Sequence, residues 1–434
     1  MNSGFRYSLE TADHPLRQAL TEEMHLRRFP DFAAPARVLQ LVLITAGHAA
    51  ADVRRHAESL CEHFQLPIPP AGRYFTAQLP GVDFVWEQHS EFSTYTLVKP
   101  GPFTVPFDGA LVAHFPSTWR SSLPGQVLRA TQIALLARSD PEPDSSWLEQ
   151  FFTSEELVCC DILGGEARVW SNFRLHEDGF GRLLMRDQGL VGLSDPSRLL
   201  QRLQELGNYR NMALLGLPLV QELTPQLTAL EQQLARLTQD IGEQRSPDDL
   251  LLKQLSALCA ELAQLEALAS YRMSATKAYA QLVNDRLASL QVKRVRGYQS
   301  LDDFTDRRLT PAVRTCESFT LRLNDLSERA SWASSLMRTR IETALEHQSR
   351  DLLESMNHRA QLQLRLQQAV EGLSVLAISY YAVGLVGYIA KALNHYFAAL
   401  DPGLVMGAAA PLLVILTWLL MRRVHRRVVH SAQP

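Results

Sequence analysis

The sequence predicts an α+β domain followed by a long helical hairpin, a coiled-coil-like stalk and two C-terminal transmembrane helices. Three observations predict it. Pro and Gly are dense between residues 67 and 143, among β-branched and aromatic runs, which punctuates strands and loops rather than long helices. From Leu223 onward leucines recur at alternating steps of four and three, the seam of packed helices. Residues 373–393 and 404–421 then form two apolar runs, each long enough to cross a hydrocarbon core of ~30 Å at ~1.5 Å per residue. So short a connection between spans makes them a helical hairpin, because backbone amides in lipid must be satisfied within helices.

Residues 1–205 are expected to form the α+β domain. Helices are predicted over residues 15–28 and 48–64, with a buried strand between them at 36–44, where Val38, Leu39, Leu41, Val42, Leu43 and Ile44 cluster. Residues 83–97 show strand alternation in Phe92, Thr94 and Thr96, and 128–136 is a further apolar run. Residues 158–163, a Gly164-Gly165 turn and 167–170 read as a hairpin. Within it the adjacent Cys159 and Cys160 should point to opposite faces of the sheet. The five cysteines are scattered, without CxxC or Cys/His spacing, and are expected to be reduced, buried thiols rather than zinc ligands. A net charge of -3 gives no argument for a nucleic-acid partner.

Residues 206–300 are expected to form the helical hairpin. One arm carries Leu223, Leu227, Leu230, Leu234, Leu237 and Ile241; the other carries Leu251, Leu255, Leu258, Leu262 and Leu265. Between them Ser246 is placed to cap and Pro247 to open the second helix. Gly297 interrupts the pattern. Residues 301–371 then form the stalk, without Pro or Gly from Ala312 to Glu371, running directly into the first span. About sixty helical residues extend roughly 90 Å. The seam through Leu345, Leu352, Met356 and Leu366 is loose, and Gln361, Gln363, Gln367 and Gln368 crowd its far end. Such a helix is too polar to be buried and too long to stand alone, so it is expected to pack on neighbours or on copies of itself.

The membrane hairpin is assigned to residues 372–421 and a basic tail to 422–434. Arg422, Arg423, Arg426 and Arg427 follow the second span, whereas residues 394–403 contain no Lys or Arg. Positive charge stays on the cytoplasmic side, so both termini are expected in the cytoplasm. Residues 1–29 have no apolar region of the signal-peptide kind. Trp418, Tyr396 and Phe397 suit the two membrane interfaces.

This order of elements resembles the CorA-type divalent-cation transporters. The resemblance implies a homopentamer whose first spans line a pore, with a Gly-Met-Asn signature at the outer end of that span. Here the place reads Ala392-Leu393-Asn394, then His395-Tyr396-Phe397 and Asp401-Pro402; only Asn394 matches the signature. Over residues 355–385 and nearly end to end the chain is also similar to a family of bacterial membrane-anchored proteins of unknown function. That similarity implies a bacterial inner (cytoplasmic) membrane protein and supplies no reaction.

The candidate pore residues follow. Glu371 and Ser374 share a helical stripe with Ile378, Tyr381 and Leu385. Copies of Glu371 in a ring would concentrate cations, although a Glu at this boundary can equally face water. Asn394 would present its carbonyl to a hydrated Mg²⁺, or cap the helix. Gly384 and Gly387 let helices approach closely; Lys391 is expected to snorkel to the interface, the other reading putting it near a pore mouth, where it would oppose cations. His176-Glu177-Asp178-Gly179 is read as a turn rather than a metal cluster. The sequence carries no P-loop, Gly-x-Gly-x-x-Gly, Gly-x-Ser-x-Gly or kinase signature, so no catalysis is expected. Two functions remain. One is a CorA-like homo-oligomeric cation channel with a regulatory domain; the other is a membrane-anchored scaffold or sensor for a cytoplasmic protein or ligand.

Overall fold

The protein is described from a computed structural model, covering residues 14–17, 20–21, 29–69, 72–153, 156–192, 194–394 and 401–430. It divides into two compact units, Met1–Ala333 and Ser334–Pro434. The predicted helix over residues 15–28 lies mostly outside the described residues.

The first unit is α+β. Its strands are β1 (Ala36–Ile44), β2 (Tyr74–Leu79), β3 (Val82–Gln88), β4 (Phe92–Pro100), β5 (Gln126–Leu136), β6 (Val158–Ile162), β7 (Ala167–Ser171), β8 (Gly181–Asp187) and β9 (Lys293–Arg294). Among the described residues they form one nine-stranded sheet in the order β2-β3-β4-β1-β5-β8-β7-β6-β9. Within it β5 and β8 pair in parallel, and the other paired strands run antiparallel. Helix α1 (Ala50–His63) covers one face, while α2 (Ser117–Ser121) and α3 (Ser145–Glu149) are short turns beside it. Helix α4 (Ser194–Leu214) packs on the other face through Leu199, Leu203 and Leu206.

Burial on two faces explains the sequence of the central strand. In β1, Val38 and Val42 join the core under α4, and Leu39, Leu41 and Leu43 join the core under α1. A strand covered on both sides needs apolar residues at successive positions. The same holds for β4, buried from Phe92 to Val98, so its alternation of Phe and Thr does not mark a solvent face. The run at 83–97 is two strands, β3 and β4, in antiparallel register, with Trp86 opposite Tyr95. The expected hairpin at 158–170 is present as β6 and β7, and Gly164 takes the left-handed φ of 72° that its turn requires. Cys159 and Cys160 lie in cores on opposite faces of the sheet, as strand geometry demands.

Two details of the helical region correct the sequence reading. Helix α4 runs through position 205 and belongs to the sheet's own core, so the chain turns helical about a dozen residues earlier than the expected boundary. Ser246 makes no cap: Pro247 occupies the N-cap position of the next helix, and no side chain accepts its free amides there. The hairpin itself is α5 (Gly216–Glu243) and α6 (Asp248–Leu290), joined by four residues, with Leu223, Leu227, Leu230, Leu234 and Leu237 packed in one arm and Leu251, Leu255, Leu258, Leu262 and Leu265 in the other. After α6 the chain returns to the sheet edge as β9, pairing with β6, before starting α7 (Leu301–Asn394).

The first turns of α7 complete a three-helix bundle with α5 and α6. Cys316, Phe319, Leu323, Leu326, Ala330 and Ala333 are buried at steps of three and four. Arg322 reaches from α7 to α5, where Nη2 lies 2.8 Å from a carboxylate oxygen of Glu231. Pro311 sits inside α7, one turn below this seam. Nearer the sheet, Arg272 of α6 meets Glu91 at the β3–β4 turn at 2.9 Å, with Glu91 almost fully buried.

Candidate functional site

The predicted site residues belong to the second unit. It holds the remainder of α7 and helix α8 (Pro402–His430). Within these, α7 and α8 each contain a segment long and apolar enough to cross a membrane.

The two apolar segments pack on each other through small and hydroxylated side chains. Ser379, at 3% exposure, places its Oγ 2.6 Å from Thr417 Oγ1 of α8. The Thr417 hydroxyl also lies 2.7 Å from the Leu413 carbonyl of its own helix, so the pair is joined to the α8 backbone. Further along, Met406 sits against Gly387, so that a Cβ built there would lie 2.5 Å from its Sδ. Ala390 is buried on the same face. A close backbone approach at small residues is what packs helices where lipid supplies no hydrophobic drive.

The predicted glycine pair therefore splits. Met406 of α8 lies against Gly387, whereas a Cβ at Gly384 would meet nothing within 4 Å. The reason is angular: at about 100° per residue, Ser379, Gly387 and Ala390 cluster on the side facing α8, and Gly384 turns away from it.

The candidate pore stripe lies on the opposite side of α7. The same rotation carries Ser374, Ile378, Tyr381 and Leu385 to a face centred roughly 160° from the Ser379–Ala390 face, with Glu371 at its flank. Tyr381 is 71% exposed, and its ring meets that of Tyr380 edge-on with centroids 5.7 Å apart. Glu371 and Ser374 are partly exposed. The Ser374 hydroxyl donates to the Val370 carbonyl of its own helix at 2.8 Å. Below the span, Leu345, Leu352, Met356 and Leu366 are all exposed, each by more than half.

At the far end of α8, the Arg422 guanidinium lies 5.0 Å from the centre of the Trp418 ring. Arg423 is exposed beside it. The side chains of Asn394, Arg426 and Arg427, together with residues 395–400 and so Tyr396 and Phe397, lie outside the described residues. Among the described residues no group of three or more His, Cys, Asp or Glu is placed to hold a metal ion. The 176–179 segment is a turn: the Gly179 amide donates to the His176 carbonyl at 2.9 Å, and Asp178 pairs with Arg182.

Sequence reasoning missed Ser379, Met406 and Thr417. A signal was available. Thr417 is the one hydroxylated residue of the second apolar run, and Ser379, Gly387 and Ala390 are small residues at helical spacing in the first. No curated protein matches the chain. The chain belongs to the family described as "Protein of unknown function (DUF3422)", whose family model matches residues 12–428.

Proposed function

We propose that the chain is a homo-oligomeric membrane protein on the CorA plan. Copies pack through α7, and a hydrated divalent cation such as Mg²⁺ passes along the ring of first spans. The observation that carries this reading is the uncovered face of α7. One helix presents Glu371, Ser374 and Tyr381 away from its own hairpin partner, and it continues a line of exposed leucines below. Lipid can cover the apolar part of that face. Water would have to cover Leu345, Leu352 and Leu366, and a second copy of the same helix removes that cost. A pentamer is favoured by the architecture's resemblance. Arg422 and Arg423 near the end of α8 support a topology with that end on the cytoplasmic side of a bacterial inner membrane and the α+β unit on the same side as a regulatory domain.

In this arrangement five Glu371 carboxylates gather cations at the cytoplasmic mouth. Asn394 offers amide oxygens to the ion's water shell at the outer mouth, since Mg²⁺ gives up its waters reluctantly. The test combines particle imaging of the detergent-purified protein with Mg²⁺ flux in liposomes. A ring with α7 at its axis, and flux reduced by Glu371→Ala and by Asn394→Ala, is the expected result. A monomer or dimer with no flux removes the channel.

A second reading is favoured by the closed hairpin. The Ser379–Thr417 hydrogen bond and the Met406–Gly387 contact satisfy the hairpin within one chain. A hairpin complete in itself suits an anchor for a scaffold or sensor whose partner binds the α+β unit.

A further inference from the structure

The first unit contains a cavity of about 420 Å³ between α4 and strands β5, β7 and β8. That volume falls in the range of small-molecule sites. Its walls are largely apolar, built from Leu183, Leu203, Leu206 and Val169. Four arginines also line it, of which Arg174 and Arg182 are paired with carboxylates at the rim. Arg129 enters from β5 and donates Nη1 to Gln40 Oε1 and to Asn208 Oδ1, each at 2.9 Å. Arg210 enters from α4 and lies over the Phe173 ring, 4.6 Å from its centre.

Neither Arg129 nor Arg210 has a carboxylate partner among the described residues. Both Arg129 partners are neutral amides, and Arg210 is held by aromatic faces alone, the Phe304 ring lying 5.9 Å away. The acidic residues near the cavity are already engaged at its rim, Glu156 with Arg174 at 2.6 Å and Asp178 with Arg182 at 3.1 Å. Burial pushes Arg129 down to about 9 and Arg210 down to about 10, the first further lowered by the second and the second by Arg308. Both remain protonated at neutral pH. Two like charges held in a partly buried, largely apolar pocket without a counter-charge are costly to hold.

The backbone makes room for this arrangement. At Gly207 a Cβ would lie 2.7 Å from the Arg129 guanidinium, so any side chain there would push the arginine from its place beside α4. Among the described residues the Arg129 fork donates to protein through Nη1 alone, and Arg210 keeps its whole fork, which is the geometry that grips carboxylate and phosphate oxygens.

We infer that this cavity is a binding site for a small organic anion, a carboxylate or phosphate group carried on an apolar body. The anionic group sits between Arg129 and Arg210, and the apolar body lies against Leu183, Leu203 and Leu206. The site is independent of whether the membrane hairpin conducts an ion.

The test uses full-length protein in detergent and isothermal titration calorimetry with phenyl phosphate, benzoate and the uncharged benzyl alcohol. Saturable binding of at least one anion is expected, with none for benzyl alcohol. The stronger of the two anions identifies the head group. Arg210→Met should weaken that binding at least about tenfold. Without ligand it should unfold no earlier than the parent on heating, since it removes an uncompensated charge. Arg210→Lys, which keeps the charge without the fork, should fall between and guards against a folding failure in the methionine variant. Exposed Arg55→Met should bind as the parent does. The inference is overturned if the parent binds neither anion, if benzyl alcohol binds equally well, or if both Arg210 variants bind like the parent.

Discussion

Arg272 and Glu91 form the most enclosed ion pair of the first unit, at 16% and 5% side-chain exposure. Their attraction barely repays the water they gave up, but removing one partner strands the other. Arg272→Ala should therefore cost about 3–5 kcal/mol in urea unfolding, far more than Arg55→Ala on the surface, whose pair with Asp52 contributes at most about 1 kcal/mol. His56 supplies a pH dependence. Burial pushes its ring below the ordinary 6.5, against a hydrogen bond to the Trp119 carbonyl that raises it. The fold favours the neutral ring, so this contribution is complete above 6.5 and is lost as pH falls through the folded value. His56→Gln should flatten the fall in urea midpoint between about pH 7.5 and about pH 5.5. The carboxylates held low, Asp108 and Glu231, lose their contribution only below their ordinary 3.8 and 4.5, outside that window, while His176, also lowered by burial, leaves some slope behind. The thiols differ in reach. Burial pushes Cys159 and Cys160 up to about 12, and of the five cysteines only Cys259 is partly exposed. Iodoacetamide on the native protein at pH 8 should label Cys259 first, read by mass spectrometry.

Elements whose signal is local were legible in the sequence. Strand β1 was bounded at residues 36 and 44 because a doubly covered strand is apolar throughout, and the α5 and α6 seams were legible because leucines repeat. The seam of α7 was not, since Cys316, Phe319, Ala330 and Ala333 mix sizes and types that no leucine count detects. Two-residue β9 carries no periodicity at all, and its Lys and Arg acquire strand geometry only from the partner strand β6. The two stretches of α7 also differ in what a truncation should do. Phe319→Ala opens a hole in the bundle and should cost about 3–5 kcal/mol in the first unit. Leu345→Ala removes an exposed side chain, so the folded chain should keep its stability. In the proposed homo-oligomer its cost should appear instead as dissociation of copies, read by native mass spectrometry.

At the scale of the whole molecule, sheet order and the cavity of Arg129 and Arg210 come from non-local pairing. Arg129 lies 79 positions before its partner Asn208, and no spacing rule joins them. The candidate stripe of Glu371, Ser374 and Tyr381 is a repeat along one helix, whereas the pore role proposed for it requires several copies of the chain. Protease access tests that role. Arg350 and Arg359 sit in the exposed stretch of α7. Trypsin should cut there quickly in dissociated protein and slowly in the assembled form. Equal rates in both would mean that other copies leave this stretch uncovered.

The return of the chain to the sheet at β9 makes the α5–α6 hairpin a closed excursion. The chain departs from the sheet core at α4 and is fixed at the edge strand again just before α7 begins. The length of that excursion is thus decoupled from the position of its ends. Trimming one heptad from each arm near the 244–247 turn should shorten the hairpin and leave the sheet, the cavity and the first residue of α7 where they are. A family built this way can vary the reach of one arm while holding constant the point from which its longest helix departs.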